Sequence, residues 1–300
     1  MIVTGASGFV GKAVCAELLS RGHDVTAIVR NADVNVDAAK VVCCDMCDYE
    51  KLDSIIAECG FDVLYHFAWG GTSGAKRGEY QLQIENIRAS CILVEQCVKL
   101  QCKRFVYAGS IMEFEEMEFM KTQQVPPASM LYSTAKLTAD HMIRTVAAIN
   151  HIEYINAVIS NIYGPGENSP RLINTSIRKL LRKEHCSFST GEQMYDFIYI
   201  DDAAKVFAEI GEKGISNKTY YVGSRQPRKL KEFLEEMRYH VAPDSEIGLG
   251  ELPFNGISLD YDKFNVDAVY EDTGFEPETS FAEGINKTAE WIKKEVGDHV

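Results

Sequence analysis

Short apolar runs rich in Val, Ile and aromatic residues recur along the first half of the chain, and segments with apolar positions at helical spacing separate them. Met1–Val3, Asp24–Val29, Lys40–Cys43, Val63–Phe67, Arg104–Ala108 and Tyr154–Ile159 read as strands. Val10–Ser20, Tyr49–Cys59, Glu79–Leu100 and Ser133–Asn150 read as helices. On the third of these, Leu82, Ile87, Cys91, Val94 and Val98 trace one apolar stripe. Strand and helix in steady alternation predict an α/β fold, a doubly wound parallel sheet with helices on both faces.

The pattern breaks at Gly164-Pro165-Gly166 and Ser169-Pro170. A helix near Ile173–Arg182 follows, then a returning strand and helix at Phe197–Ile200 and Asp202–Gly211, and a strand at Tyr220–Val222. The tail holds a helical segment, Leu230–Tyr239, and a closing helix with Phe281, Ile285, Ala289 and Ile292 on one face. The expected organisation is a sheet domain from residues 1–163 and 196–222, with a smaller, discontinuous lobe from 164–195 and 223–300.

Composition narrows the partners. Over 300 residues, 46% hydrophobic and 25% charged is ordinary globular usage. The net charge of −13 makes nucleic acid and anionic membrane poor partners for the whole surface. It leaves room for a phosphate held locally by backbone amides at a helix N-terminus. The start, Met1–Gly5, carries neither a basic stretch nor a long apolar run, and no uncharged apolar stretch of about 18 residues follows, so a cytoplasmic location is expected. Nine scattered cysteines fit reduced thiols. Cys44 and Cys47 form C-x-x-C, but the widely spaced Cys97 and Cys102 make a poor second pair, and no metal is expected.

Thr4-Gly5-Ala6-Ser7-Gly8-Phe9-Val10-Gly11 runs from the first strand into the first helix. Gly5 permits a tight turn, Gly8 lets backbone approach a pyrophosphate, and Gly11 lets helix pack on strand. The free N–H groups of that helix start then face two phosphates. This is the phosphate loop of a Rossmann-like dinucleotide site. At the end of the second strand, where a carboxylate would bind the ribose hydroxyls of NAD, stands Arg30. It can stack on adenine and pair with the 2′-phosphate of NADP, or be an exposed turn arginine, which leaves NADP or NAD open with a lean to NADP. After the third strand, the Asp45 carboxylate can accept from the adenine amino group while the Met46 N–H donates to the ring. Asp48 reads as the N-cap of the next helix.

Tyr132-Ser133-Thr134-Ala135-Lys136 places a phenol and an ammonium four residues apart on one helical face. A phenol is a poor base near neutral pH, and a neighbouring ammonium or an oxidised nicotinamide lowers its pKa. Ser110, just beyond the fifth strand, stands at the sheet edge where ligands of open α/β sheets bind, and its hydroxyl can bond the oxygen that Tyr132 serves.

Together these residues resemble the extended short-chain dehydrogenase/reductase family, in particular its nucleotide-sugar epimerases, dehydratases and reductases. The likeness runs through Gly5-x-x-Gly8-x-x-Gly11, Asp45-Met46, His66-Phe67-Ala68, Asn86, Ser110 and Tyr132-x-x-x-Lys136. It continues in Asn161-Ile162-Tyr163-Gly164-Pro165-Gly166, Asp196–Asp202, Asp272–Pro277 and Ser280–Ile285. The resemblance implies Ser110, Tyr132 and Lys136 as catalytic, Lys136 also holding the nicotinamide ribose. It implies a cofactor site of Gly5, Ser7, Gly8, Phe9, Val10, Gly11, Arg30, Asp45, Met46, Phe67, Ala68, Trp69 and Asn86. The substrate, a nucleotide sugar, would meet Ser110, Tyr132, Asn161, Arg171 and Tyr195.

Two departures shape the expectation. The family's dehydratases carry Asp-Glu directly after the catalytic hydroxyl, and this chain has Ile111-Met112, which disfavours dehydration. An arginine that clamps the nucleotide diphosphate in many members is Tyr195 here, with Arg171 a candidate substitute. Glu113 lies two positions late for a dehydratase acid, and the run from Glu113 to Glu118 reads as a solvated loop. His66 reads as a structural histidine and Asp202 as a helix N-cap. The expectation is a 4-epimerase acting at C4 of a nucleotide sugar. An NADPH-dependent reductase of a keto sugar is the alternative enzyme, and a cofactor-sensing protein the non-enzymatic one. The long helices 79–100 and 133–150 are the expected homodimer surface.

Overall fold

A computed structural model describes residues 1–297. Six strands come first: β1 (Ile2–Thr4), β2 (Thr26–Val29), β3 (Lys40–Cys43), β4 (Val63–His66), β5 (Arg104–Ser110) and β6 (Glu153–Ile159). With Thr219–Val222 they form one sheet in the order Thr219–Val222, β6, β5, β4, β1, β2, β3, every pairing parallel. The strand order reverses between β1 and β4, so a crevice opens at the C-terminal ends of these two strands.

The strands β1, β2, β4 and β5 are buried on both faces, as in any sheet covered by crossover helices, while the edge strand β3 leaves Val41 and Cys43 exposed. On one face α1 (Phe9–Ser20) packs against a helix at Ile200–Lys213. On the other, α2 (Leu52–Ile56), α3 (Tyr80–Lys99), α4 (Met112–Met120) and α5 (Leu131–Ile149) follow the strands, with α3 and α5 packed together. The helices Leu172–Leu181, Leu230–Val241 and Phe281–Gly297 pack on one another, while the short helix Ala268–Thr273 packs against Ile200–Lys213 and Thr219–Val222. A short strand, Asn161–Tyr163, pairs with Phe197–Tyr199, and Met194–Tyr195 pairs with Arg228–Lys229, which brings Asn161 and Tyr195 to the mouth of the crevice. Among the described residues no helix is long and apolar enough to cross a membrane.

Several expectations are corrected. The helix expected at Tyr49–Cys59 is a 3-10 turn, Met46–Lys51, followed by the five residues of α2, which ends where Ala57 turns left-handed at φ 56°. Its N-cap is Asp45, accepting from the Cys47 N–H, while Asp48 pairs with Lys51. Asp202 lies inside its helix and accepts from the Thr279 N–H instead of capping. The segment from Glu113 to Glu118 is not a loop: it forms most of α4, with Glu113 and Glu116 buried.

The buried face of α3 is also rotated from the expected apolar stripe. Val98 is exposed, whereas Gln83, Asn86, Ser90 and Gln96 are buried beside Leu93 and Cys97. Each of these polar side chains ties another segment of the chain to the helix. Gln83 accepts from the Trp69 indole N–H, Asn86 holds both backbone groups of Gly70, and Gln96 accepts from the Asp53 N–H. Ser90 meets His66 Nε2 at 2.9 Å, and Thr4 meets Nδ1 at 2.8 Å. Full burial pushes this imidazole down to about 3, so it stays neutral as a structural link between β1, β4 and α3.

Candidate active site

The crevice is a cleft of about 770 Å³ running from the glycine turn after β1 to the N-terminal half of α5. Its floor begins with Gly5, held at φ +65°, where an added Cβ would lie 2.7 Å from the Ala68 nitrogen. A Cβ on Gly11 would lie 2.3 Å from the Gly5 carbonyl oxygen, so α1 rests directly on the turn. Gly8 caps α1 and accepts from the Lys12 N–H at 2.9 Å, the first backbone bond of the helix. The N–H groups of Phe9, Val10 and Gly11 precede that bond, lack intrahelical acceptors, and lie at the cleft. This cradle fits a dinucleotide pyrophosphate.

Of the residues expected to bind cofactor or substrate, Ser7, Gly8, Arg30, Asp45, Met46, Phe67, Ala68, Trp69, Asn161, Arg171 and Tyr195 all line this cleft with the glycines, Phe9 and Val10. Asn86 does not. It is buried behind the wall, bracing Gly70, so its contact with a ligand is indirect. The Asp45 carboxylate, expected to face adenine, already accepts from Cys47. The molecule is acidic overall, but the cleft wall carries Arg30, Arg77, Lys136 and Arg171 against only Asp45 and Glu167. That local excess of cations suits a substrate with phosphates.

At the far end, β5 extends two residues beyond the expected strand to Ser110. Ser110-Ile111-Met112-Glu113 then leads into α4 with the S-x-x-E spacing of a capping box, although the helix is capped by Ile111. The Ser110 hydroxyl accepts from the Met112 N–H at 3.3 Å, and the Glu113 carboxylate accepts from the Ser110 N–H at 2.8 Å. Glu113 also accepts from the Asn156 amide at 3.1 Å. Burial, then the Asp140 carboxylate, push its pKa up. Glu113 was set aside on the sequence; the S-x-x-E spacing after a strand was the signal for its role in holding Ser110. Ile111 and Met112 face the cleft, so no carboxylate follows the Ser110 hydroxyl there.

Tyr132 and Lys136 stand one turn apart on α5, both buried. The Lys136 ammonium donates to the Ala108 carbonyl at 2.9 Å and lies 3.7 Å from the Trp69 ring centre and 4.8 Å from that of Tyr107. Burial pushes its pKa down, with Glu113 opposing. The expected lowering of the Tyr132 phenol is not seen in the protein alone. Burial raises its pKa above the ordinary value, although the Ser110 hydroxyl and the Arg171 and Arg77 guanidiniums pull the other way. The sequence motif identified the pair, but the depth at which the cleft buries both groups is a tertiary property.

The model of the NAD dependent epimerase/dehydratase family matches residues 1–223. CDP-abequose synthase of Salmonella typhimurium is 27% identical over 255 residues, 82% of this chain and 82% of its own length. A putative UDP-glucose 4-epimerase of Methanocaldococcus jannaschii is 24% identical over 315 residues, 98% of each chain. Among solved structures, a UDP-glucose 4-epimerase of Thermotoga maritima superposes with a TM-score of 0.79 at 21% identity, covering 98% of this chain and 99% of that one.

Proposed function

The chain belongs to the NAD dependent epimerase/dehydratase family, and on that premise we propose that it carries out NAD(P)-dependent oxidation and reduction at C4 of a nucleotide sugar, as a 4-epimerase. The observation that carries this reading is one continuous cleft with the glycine cradle at one end and Ser110, Tyr132 and Lys136 at the other. The sheet segments would hold the dinucleotide and the C-terminal lobe the nucleotide sugar. Backbone N–H groups of Phe9 to Gly11 would receive the pyrophosphate, Asp45 and Met46 the adenine, and Phe67, Ala68, Trp69 and Lys136 the nicotinamide side. Bound there, the dinucleotide supplies the acceptor and donor of a hydride.

The chain's own groups manage the proton. The Tyr132 phenolate takes it from the C4 hydroxyl as the C–H bond is oxidised, and the Ser110 hydroxyl donates to the same oxygen. Lys136 supplies positive charge beside the cofactor, and burial of the phenol keeps water out of the exchange. When the ketone turns and is reduced on its other face, Tyr132–OH returns the proton. Dehydration gains no support, because Ile111 and Met112 present no acid or base at the cleft. The test is incubation of purified protein with NAD and UDP-, CDP- or dTDP-hexoses. Formation of the 4-epimer without net NADH supports the reading; no 4-epimer from any of them overturns it.

Arg30 favours a second reading, net reduction of a 4-keto sugar by NADPH. It is exposed at the end of β2 on the cleft wall, where a 2′-phosphate would be drawn to a guanidinium. Calorimetric titration is expected to show NADP binding at least as tightly as NAD, with Arg30→Ala lowering NADP affinity about tenfold and leaving NAD unchanged. Tenfold tighter NAD binding to wild type would contradict this. Homodimerisation is proposed through α3 and α5, whose outer faces leave Tyr80, Ile84, Met142 and Ile149 exposed. Light scattering of wild type and Ile84→Asp checks it: a wild-type monomer removes the proposal.

A further inference from the structure

Arg77 lies outside every motif of the sequence, yet its guanidinium carbon stands 4.6 Å from the ring centre of Tyr132. The contact is built by the fold. Arg77 sits in a 3-10 turn, Gly74–Gly78, that packs against the turn Ala128–Met130, and that second turn runs directly into α5. Gly78 sits so close to Ala128 that an added Cβ would approach its side chain to 3.2 Å. The Gln83 amide further ties the Arg77 turn to α3 by donating to the Lys76 carbonyl at 3.3 Å. Trp69 closes on Tyr132 edge to face, with ring centres 6.3 Å apart. The phenol is thus clamped between an indole and a guanidinium.

The guanidinium is not spent elsewhere. Among the described residues Arg77 makes no ion pair within 4.0 Å, and its buried Nε has no hydrogen-bond partner. Lys136, by contrast, is engaged by the Ala108 carbonyl and by the faces of Trp69 and Tyr107, and an ammonium can lose its proton on burial. A guanidinium keeps its charge at every relevant pH. A cation over an aromatic face is attracted to the ring, and more strongly once that ring carries the charge of a phenolate.

We propose that Arg77, stacked on the Tyr132 ring, is a fixed positive charge that, together with Arg171, favours the phenolate form of Tyr132 before any ligand is bound. Arg77 acts through Tyr132 and is a positioning residue for the acid/base group. The proposal rests on the reading of Tyr132 given above and deepens it. In the free protein burial still holds the phenol above its ordinary range, and Arg77 limits that rise, so that less is left for a bound cofactor to supply before the phenol can take the proton of a carbinol. The other charged groups around the phenol are distributed on both sides. Glu113 on α4 opposes ionisation, Arg171 ahead of the Leu172–Leu181 helix assists it, and Lys136 follows one turn along α5. Glu115, also on α4, is the carboxylate that Arg77 acts on, and burial pushes it up to about 7, so at neutral pH it offsets only part of the Arg77 charge.

The experiment needs no substrate. Tyrosinate formation is followed by ultraviolet difference titration of the ligand-free protein, with Tyr132→Phe subtracted to isolate Tyr132. Arg77→Met, which keeps the stem and removes the charge, should move that titration up by about one pH unit. Arg77→Lys should recover part of the shift, and thermal melts confirm that each variant folds. The acidic limb of the kcat/KM profile, where activity rises as the phenol ionises, should move the same way once turnover is measured, with KM little changed. A Tyr132 titration at the same pH in wild type and Arg77→Met overturns the proposal and leaves the sugar chemistry standing. A shifted titration together with wild-type turnover by Tyr132→Phe overturns the sugar chemistry and leaves Arg77 acting on an idle phenol.

Discussion

Tyr132→Phe is expected to lower turnover by about 10² to 10⁴ while dinucleotide affinity stays close to wild type. The substitution removes one oxygen. The ring remains to pack edge to face on Trp69 and under Arg77, so the loss falls on proton transfer and not on the shape of the cleft. Because the phenol is 8% exposed, water has little access to take over its task. Lys136→Ala should behave differently. It removes the donor to the Ala108 carbonyl and the cation between Trp69 and Tyr107, so cofactor affinity and rate should fall together. Steady-state kinetics with parallel calorimetry separates the two patterns, and wild-type turnover by Tyr132→Phe would remove the mechanism.

Substitution in the glycine turn should have a comparably large effect, and the structure separates two of its glycines. At Gly8 the backbone is extended, φ −77° and ψ 169°, and an added Cβ would meet only the Gly5 carbonyl oxygen at 3.2 Å. A side chain there asks the Gly5 carbonyl to give by only a few tenths of an ångström but occupies space beside the N–H groups of Phe9 and Val10. Gly8→Leu should therefore melt near the wild-type temperature and bind dinucleotide on the order of 100-fold more weakly. At Gly11 the Cβ would stand 2.3 Å from the Gly5 carbonyl oxygen, backbone against backbone. Gly11→Val must push α1 off the turn and should lose stability, on the order of 1–3 kcal/mol, as well as binding. Calorimetry and thermal melts on both variants check the contrast. Unchanged affinity in Gly8→Leu would mean that the turn does not hold the phosphates.

The elements legible in the chain were those whose periodicity and chemistry agree. The sheet strands are apolar on both faces and flanked by turn residues, so they stand out locally. The glycine turn was legible because only glycine satisfies a positive φ and two backbone contacts at Gly5 and Gly11. Tyr132 and Lys136 were legible as a pair because four residues make one helical turn.

What hydrophobicity misread were the buried polar faces. Gln83, Asn86 and Ser90 look like solvent-facing positions of α3, yet they face inward because Trp69, Gly70 and His66 supply their partners from another part of the chain. Glu113 and Glu116 look like a solvated run, yet α4 lies against the core and the Ser110 N–H and the Asn156 amide pair Glu113. A buried polar group is stable only with its partner in place, and the partner is set by tertiary contact. The sequence by itself thus determined the parallel sheet, the phosphate cradle and the identity of the tyrosine and lysine, all of them properties of local spacing. Only the tertiary structure decided how deeply Tyr132 and Lys136 are buried, and that Glu113 holds Ser110 against Asn156. It alone brought Arg77, from a turn between β4 and α3, onto the ring of Tyr132, because charge, burial and stacking depend on which distant segments meet.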